Sequence, residues 1–158
     1  MKLVILNYGA GNIKSIQFAF HRLGVNAVLS NNPDEILGAD KIIFPGVGEA
    51  STAMQKLKES GLDTLIPKLN QHVLGICLGM QIMGKTSEEG NMNGLSWINA
   101  NIKSFEVKDS LKYKVPHIGW NNTSQSNSSP LFKGISESEL FYFVHSFHAV
   151  MENDLQSI

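Results

Sequence analysis

Three short, mostly apolar runs, Leu3–Leu6, Lys41–Phe44 and Val73–Ile76, each lead into a glycine-bearing turn, and the stretches between them carry apolar residues at helical spacing. Runs without polar alternation are the pattern of strands covered on both faces. From Asn12, read as an N-cap, Ile13, Ile16, Phe20 and Leu23 recur on one helix face until Gly24 supplies a stop. Ala27–Leu29 reads as a further strand, followed by the turn-forming Asn31-Asn32-Pro33-Asp34 and a short helical stretch over Glu35–Leu37. Met54, Leu57, Leu65, Ile66 and Leu69 mark helical segments interrupted near Gly61 and Pro67. Strands alternating with amphipathic helices predict an α/β fold. Right-handed crossovers bury both sides of each strand, so the expected core is a mainly parallel open sheet with helices on both faces.

The second half is less regular. Trp97–Phe105 and Lys112–Ile118 have strand character, Asn121–Pro130 reads as a Ser/Asn-rich loop, and Phe141–Val144 is a strongly β-favouring aromatic run with Ala149–Met151 expected to pair beside it. Antiparallel additions are therefore expected in the C-terminal half. A chain of 158 residues buries roughly 70% of its unfolded surface, so residues 1–158 are read as a single domain.

Charge removes some classes of function. The 13 basic and 14 acidic residues are nearly balanced and form no run of one sign, leaving no electrostatic footprint for nucleic acid or an anionic membrane. No segment reaches the length of a membrane-spanning helix and the N-terminal apolar run is too short for a signal peptide; a soluble, cytoplasmic protein is expected. Cys77 is the only cysteine, which rules out an intramolecular disulfide and a cysteine metal cluster. Gly9-Ala10-Gly11 after the first strand has part of a dinucleotide fingerprint, but Lys14 occupies the place of the third small residue and no ribose-binding acid follows. No cofactor and no metal are expected.

The chemistry concentrates in Val73-Leu74-Gly75-Ile76-Cys77-Leu78-Gly79-Met80-Gln81, where a strand runs into a nucleophilic side chain with a glycine two residues to either side. This is the form of a nucleophile elbow, in which a strained strand-to-helix turn presents the side chain and the glycines let neighbouring backbone approach. A helix starting just after Cys77 would favour its thiolate, the species that attacks a carbonyl. Phe44-Pro45-Gly46-Val47-Gly48 puts a second glycine turn at the same carboxyl edge of the sheet, where ligands bind in open α/β folds. The N–H groups of Val47 or Gly48, with that of Leu78, are the expected oxyanion donors.

Six strings occur in order: Asn7-Tyr8-Gly9-Ala10-Gly11-Asn12, Phe44 to Glu49, Gly75 to Gln81, Ser87-Glu88-Glu89-Gly90, Val115-Pro116-His117-Ile118-Gly119-Trp120-Asn121 and Phe143-Val144-His145-Ser146. Together they resemble the class I, triad-type glutamine amidotransferases, and within these the glutaminase subunits of imidazole glycerol phosphate synthases. The resemblance implies that Cys77 attacks the side-chain amide of L-glutamine, giving a glutamyl thioester and ammonia, and that water then releases glutamate. It implies that Gln81 and Glu89 hold the amino-acid head group, a carboxylate such as Glu89 making a charge-assisted hydrogen bond to the α-ammonium. It also places backbone of His145, Ser146 and Phe147 against the substrate carboxylate, with Phe147 standing where the family often has tyrosine. Asn12 in the first loop, Trp120 and Tyr142 resemble positions facing a TIM-barrel cyclase, so a heterodimer with that partner is expected.

The family completes its triad with a His-Pro-Glu string, and no His-x-Glu occurs in the sequence. Neither catalytic base nor orienting acid is assigned; His145 on its own reads as a hydrogen-bonded structural histidine, and His148 with Glu152 has the wrong spacing. A missing terminal segment is expected, and with it slow turnover, since general acid–base help is worth about 10²–10⁴-fold. Two other roles share the same strings: a docking subunit that does not hydrolyse glutamine, and an amidotransferase serving another acceptor such as a surface sugar.

Overall fold

The computed structural model describes residues 1–106, 114–125 and 129–152. Its centre is a four-stranded parallel sheet of β1 (Leu3–Leu6), β2 (Ala27–Ser30), β3 (Lys41–Phe44) and β4 (His72–Gly75), in the order β2-β1-β3-β4. All four residues of β1 are buried, as expected of a strand covered on both faces. Its register aligns Leu3 with both Ala27 and Lys41, and Lys41 in turn with His72.

The two faces bury different sets of side chains. Val4, Leu6, Ile42 and Phe44 point into the larger core with Leu57, Leu62, Ile66, Leu78 and Ile82, while Leu3, Ile5, Ala27 and Ile43 meet Ile13, Ile16 and Phe20 on the other side. That second cover is α1 (Ile13–Arg22), capped by Asn12, whose side chain accepts from the Ser15 N–H. The larger core lies under α3 (Ala50–Glu59), α4 (Leu62–Leu65) and α5 (Leu78–Met83). Between β2 and β3, α2 (Pro33–Leu37) starts at an Asn32 cap and buries Ile36. The interruptions expected near Gly61 and Pro67 are present: Gly61 has φ +70° and separates α3 from α4, and Pro67 lies in a 3₁₀ turn over Ile66–Lys68. Helices thus cover both faces of the parallel sheet, as the sequence pattern predicts.

The C-terminal half departs in detail. A second sheet has the order β10-β7-β5-β6, built from β5 (Thr86–Ser87), β6 (Met92–Asn93), β7 (Ala100–Ser104) and β10 (Phe147–Met151), and a two-stranded antiparallel ribbon joins β8 (His117–Asn122) to β9 (Leu140–His145). Ala149–Met151 therefore does not pair beside Phe141–Val144; it lies antiparallel to β7, with Ala149 opposite Ile102. Only Ser146 separates β9 from β10, too little chain for the two-residue loop of a tight hairpin. The strand bends onto a new partner instead, and the Ser146 carbonyl accepts from the Phe105 N–H.

The strand expected over Trp97–Phe105 is shorter, because residues 95–98 have other work. The N–H groups of Leu95, Trp97 and Ile98 donate to the carbonyls of Ile82 and Met83, satisfying acceptors that the end of α5 leaves open. Of the strand expected over Lys112–Ile118, Lys112 and Tyr113 lie outside the described residues, Lys114–Pro116 is not strand, and β8 begins at His117. Asn121 and Asn122, expected in a loop, instead pair with Phe141 and Leu140; residues 126–128 of that loop lie outside the described residues.

Leu57, fully buried on α3, should be a stability determinant: Leu57→Ala is expected to cost about 2–5 kcal/mol by urea unfolding. The neighbouring exposed Lys58 should tolerate alanine within about 0.5 kcal/mol.

Candidate active site

Cys77 links β4 to α5 with φ +53° and ψ −118°, a conformation that non-glycine residues occupy at a cost of about 1–3 kcal/mol. Its side chain is exposed. The glycines of the elbow have a steric reason. A Cβ on Gly75 would lie 2.7 Å from both Met80 Cα and Met83 Sδ, and one on Gly79 would collide with the Phe44 carbonyl oxygen. Gly46 is the reciprocal case, since its Cβ would collide with the Gly79 nitrogen and reach 2.8 Å from the Leu78 carbonyl carbon. The turn that begins at Pro45 is therefore packed backbone to backbone on the start of α5, next to the exposed thiol. The Ile76 N–H donates to the Phe44 carbonyl at 2.9 Å, extending the β3–β4 ladder by one step to the residue before Cys77.

Gly48, at φ +99°, lets the turn enter α3 through Glu49. Among the described residues, the N–H groups of Val47, Gly48 and Leu78 have no intrachain acceptor, whereas the Gly79 and Gln81 N–H groups are used by the Ile76 and Cys77 carbonyls. Three unspent donors beside an exposed thiol have the composition of an oxyanion site. Beyond the sequence expectation lies Tyr8, buried, with its hydroxyl donating to the Pro45 carbonyl at 2.6 Å. Burial, and secondarily the charge of Cys77, push the Tyr8 phenol up, so it remains a donor.

Gln81 lies on α5, and its Oε1 is buried without a hydrogen-bond partner. An orphaned buried acceptor is rare in folded proteins; here it lies about one helical turn along α5 from Cys77. Glu89 follows β5 in a short 3₁₀ turn, its N–H accepted by the Ser87 hydroxyl at 3.1 Å. Partial burial raises the carboxyl's pKa, and the neighbouring Glu49 carboxylate raises it further. Glu49 itself is held down at about 2 by hydrogen bonds, the Ser51 hydroxyl first and then the N–H and hydroxyl of Thr52, as it caps α3. The 88–91 turn is pressed onto that cap: a Cβ on Gly90 would collide with Glu49 Oε1. Glu88, by contrast, faces away into an ion pair with Lys103 at 2.8 Å. Glu49 and Tyr8 lie inside recognisable strings, but no local signal marks them; their proximity to Glu89 and Pro45 is a tertiary fact.

His145, Ser146 and Phe147 lie at the junction of β9 and β10. His145 Nδ1 bonds the Phe147 carbonyl at 2.9 Å and its Nε2 lies 3.2 Å from His117 Nδ1, while His117 Nε2 is 2.8 Å from the Asn121 amide nitrogen. One tautomer set satisfies the whole chain: Asn121 donates to His117, His117 to His145 and His145 to the carbonyl. His145 is thus hydrogen-bonded at both nitrogens, in keeping with its reading as a structural histidine. Among the described residues, no hydrogen bond joins this cluster to Cys77, Gln81 or Glu89.

Asn12 is exposed at the start of α1. Trp120 and Tyr142 are cross-strand partners on the ribbon, 65% and 55% exposed, with ring centroids 5.3 Å apart in an edge-on arrangement. Neither is a core aromatic. Ile118, Leu140 and Val144 project from the same ribbon face and are also more than half exposed, giving a stripe that two-residue alternation in the sequence could have revealed.

Comparison with known proteins identifies the family. The model of the class-I glutamine amidotransferase family matches residues 4–157. The imidazole glycerol phosphate synthase subunit HisH of Bacteroides fragilis (strain YCH46) is 50% identical over 148 residues, 94% of this chain and 74% of that protein. The subunit HisH 1 of Vibrio vulnificus (strain YJ016) is 43% identical over 152 residues, 92% of this chain and 73% of that protein. A solved glutamine amidotransferase structure superposes with a TM-score of 0.66 at 17% identity, over 95% of this chain and 74% of that one, which speaks for the fold alone. A glycine-flanked cysteine elbow on a parallel sheet, matched along nearly its whole length by the family model, makes this chain a member of the class-I glutamine amidotransferase family.

Proposed function

We propose that this chain, as one amidotransferase domain, hydrolyses L-glutamine to glutamate and ammonia, and that the ammonia passes to a TIM-barrel cyclase partner forming imidazole glycerol phosphate in histidine biosynthesis. The observation that carries the reading is the exposed Cys77 thiol on a strained elbow, with the Pro45–Gly48 turn packed against the helix that follows it. Relatives 42–50% identical to this chain over the aligned residues and named as imidazole glycerol phosphate synthase subunits support this acceptor.

In this reading the Cys77 thiolate adds to the side-chain carbonyl carbon of glutamine, and the electron pair of the C=O bond moves to oxygen. The resulting oxyanion is met by the N–H groups of Leu78 and of Val47 or Gly48, each donor worth roughly 3 kcal/mol in the transition state. Collapse re-forms the carbonyl and breaks the C–N bond; the departing nitrogen takes up a proton and leaves as ammonia. Water then attacks the thioester, regenerating the thiol and releasing glutamate. Gln81 Oε1 accepts from the α-ammonium, and the Glu89 carboxylate pairs with it. Backbone of His145, Ser146 and Phe147 receives the substrate carboxylate. The partner docks over Asn12 and the Trp120–Tyr142 face, where large aromatic rings supply binding energy concentrated in few residues.

With the cyclase and its acceptor ligand present, glutamate release should fall by at least ~10³-fold in Cys77→Ala; an active variant overturns the assignment. Trp120→Ala should weaken binding to the cyclase by about 30-fold, the effect of losing a hot-spot aromatic, in a titration of the two subunits. Glu89 must be ionised to hold an ammonium, and its carboxyl is raised by burial and by Glu49. Glutamine affinity should therefore be full above the raised pKa and decline as pH falls through it. Glu49→Gln removes one cause of the rise and should move that decline to lower pH, read as glutamine protection of Cys77 from iodoacetamide at each pH; an unmoved limb would count against Glu89 as the ammonium's partner.

A further inference from the structure

We propose that Tyr8 is a positioning residue for the oxyanion turn: its buried hydroxyl holds the Pro45 carbonyl and thereby sets the direction in which the Val47 and Gly48 N–H groups point at the substrate. The inference rests on the reading of Cys77 and the Pro45–Gly48 turn given above.

Tyr8 is 4% exposed, and its hydroxyl donates to the Pro45 carbonyl at 2.6 Å across 37 residues of sequence. Its ring meets Phe44 edge-on, with centroids 5.5 Å apart at 74°. A phenylalanine would fill that ring site equally well, so packing does not account for the hydroxyl. A buried phenol requires a partner, and the partner is the first carbonyl of the turn. Fixing that oxygen fixes the plane of the Pro45–Gly46 peptide, from which the rest of the turn is built. The constraint matters because two of the next three residues are glycines, the residue type with the widest backbone freedom, and Gly48 already lies at φ +99°.

Pro45 is held from other sides as well. A Cβ on Gly11 would lie 2.9 Å from Pro45 Cβ, and Gly46 is in backbone contact with Leu78–Gly79. These contacts limit where the turn lies; the Tyr8 bond limits how its peptide planes are rotated, and rotation is what an oxyanion donor depends on. The first loop is tied down independently by Lys56, whose Nζ donates to the Gly9 carbonyl at 2.8 Å, so removing the Tyr8 hydroxyl leaves the loop in place. Burial first, and the charge of Cys77 second, disfavour ionisation of the phenol, so it keeps its one proton and donates it to the Pro45 carbonyl.

The test compares two reactions of Cys77 in the full chain. A γ-glutamyl p-nitrothiophenyl ester is attacked through an oxyanionic tetrahedral intermediate and expels a thiolate that needs no proton, read directly by absorbance; iodoacetamide is displaced at a saturated carbon and needs no oxyanion donor. Tyr8→Phe should slow the acylation burst about 10-fold at saturating ester, below the 10²–10³-fold of losing a donor outright. The ester concentration at half-maximal rate and the iodoacetamide rate should be unchanged. 3-Fluorotyrosine placed at position 8 keeps the hydroxyl and should restore the burst. An unchanged burst in Tyr8→Phe, or equal slowing of both reactions, overturns the positioning role. If the wild-type chain shows no burst that glutamine suppresses, the reading of the site itself fails, and the inference with it.

Discussion

The close approach of two backbone segments, Phe44–Gly46 and Ile76–Gly79, is the constraint on which the rest of the site depends. The Phe44 carbonyl accepts from Ile76 and lies where any side chain on Gly79 would have to be. The same oxygen therefore ends the β3–β4 ladder and seats the start of α5. With Gly46 lying equally close from the other side, neither segment can move without the other. Cys77 is the residue caught between ladder and helix, and its positive φ is the consequence. A cost of about 1–3 kcal/mol is small beside the burial of Phe44, Leu78 and Ile82, each contributing roughly 1.5–3 kcal/mol, so the packed core around the elbow holds the strained residue in place.

A second level of organisation is electrostatic. The α3 N-terminus is capped by a glutamate instead of a smaller polar residue, and the cap brings a carboxylate against the turn that carries Glu89. Two carboxylates near each other, one fully hydrogen-bonded and the other partly desolvated, create a region that favours a cation. Gln81 adds a buried oxygen without a donor. Glu49 serves the fold as the cap of α3, whereas among the described residues the Glu89 carboxylate and the Gln81 oxygen have no partner in the packing that would account for them.

The parallel sheet and the elbow were legible because their signals are local. Leu3–Leu6 and Lys41–Phe44 read as strands because almost all their side chains, on both faces, are buried. The run Val73–Ile76 has the same composition, but β4 spans His72–Gly75 at the edge of the described parallel sheet and leaves Leu74 and Ile76 partly exposed. Glycines at 75 and 79 report a clash that any side chain there would make. The C-terminal half was less legible because pairing is a contest between partners. Ala149–Met151 has strand composition, but nothing within it says whether Phe141–Val144 or Ala100–Ser104 will be its neighbour; the single residue after His145 decides that. Residues 95–98 have apolar, β-compatible composition, yet their N–H groups go to the open carbonyls of α5. Trp120 and Tyr142 are exposed and opposite one another on the ribbon; alternation within each strand marks Ile118, Leu140 and Val144 as sharing a face with one of them, while joining the two strands into one stripe takes the β8–β9 register.

By itself the sequence determined the fold class, the glycine-flanked cysteine elbow, and the string of turns that marks the family, because each follows from residues within a few positions of one another. Only the tertiary structure decided that Tyr8 would reach Pro45, that Glu49 would stand against the Glu89 turn, and that His145 would be bound at both nitrogens. These contacts join residues separated by 37, 40 and 28 positions, and pairs so far apart are brought together by the packing of sheets and helices, which no short window of sequence encodes.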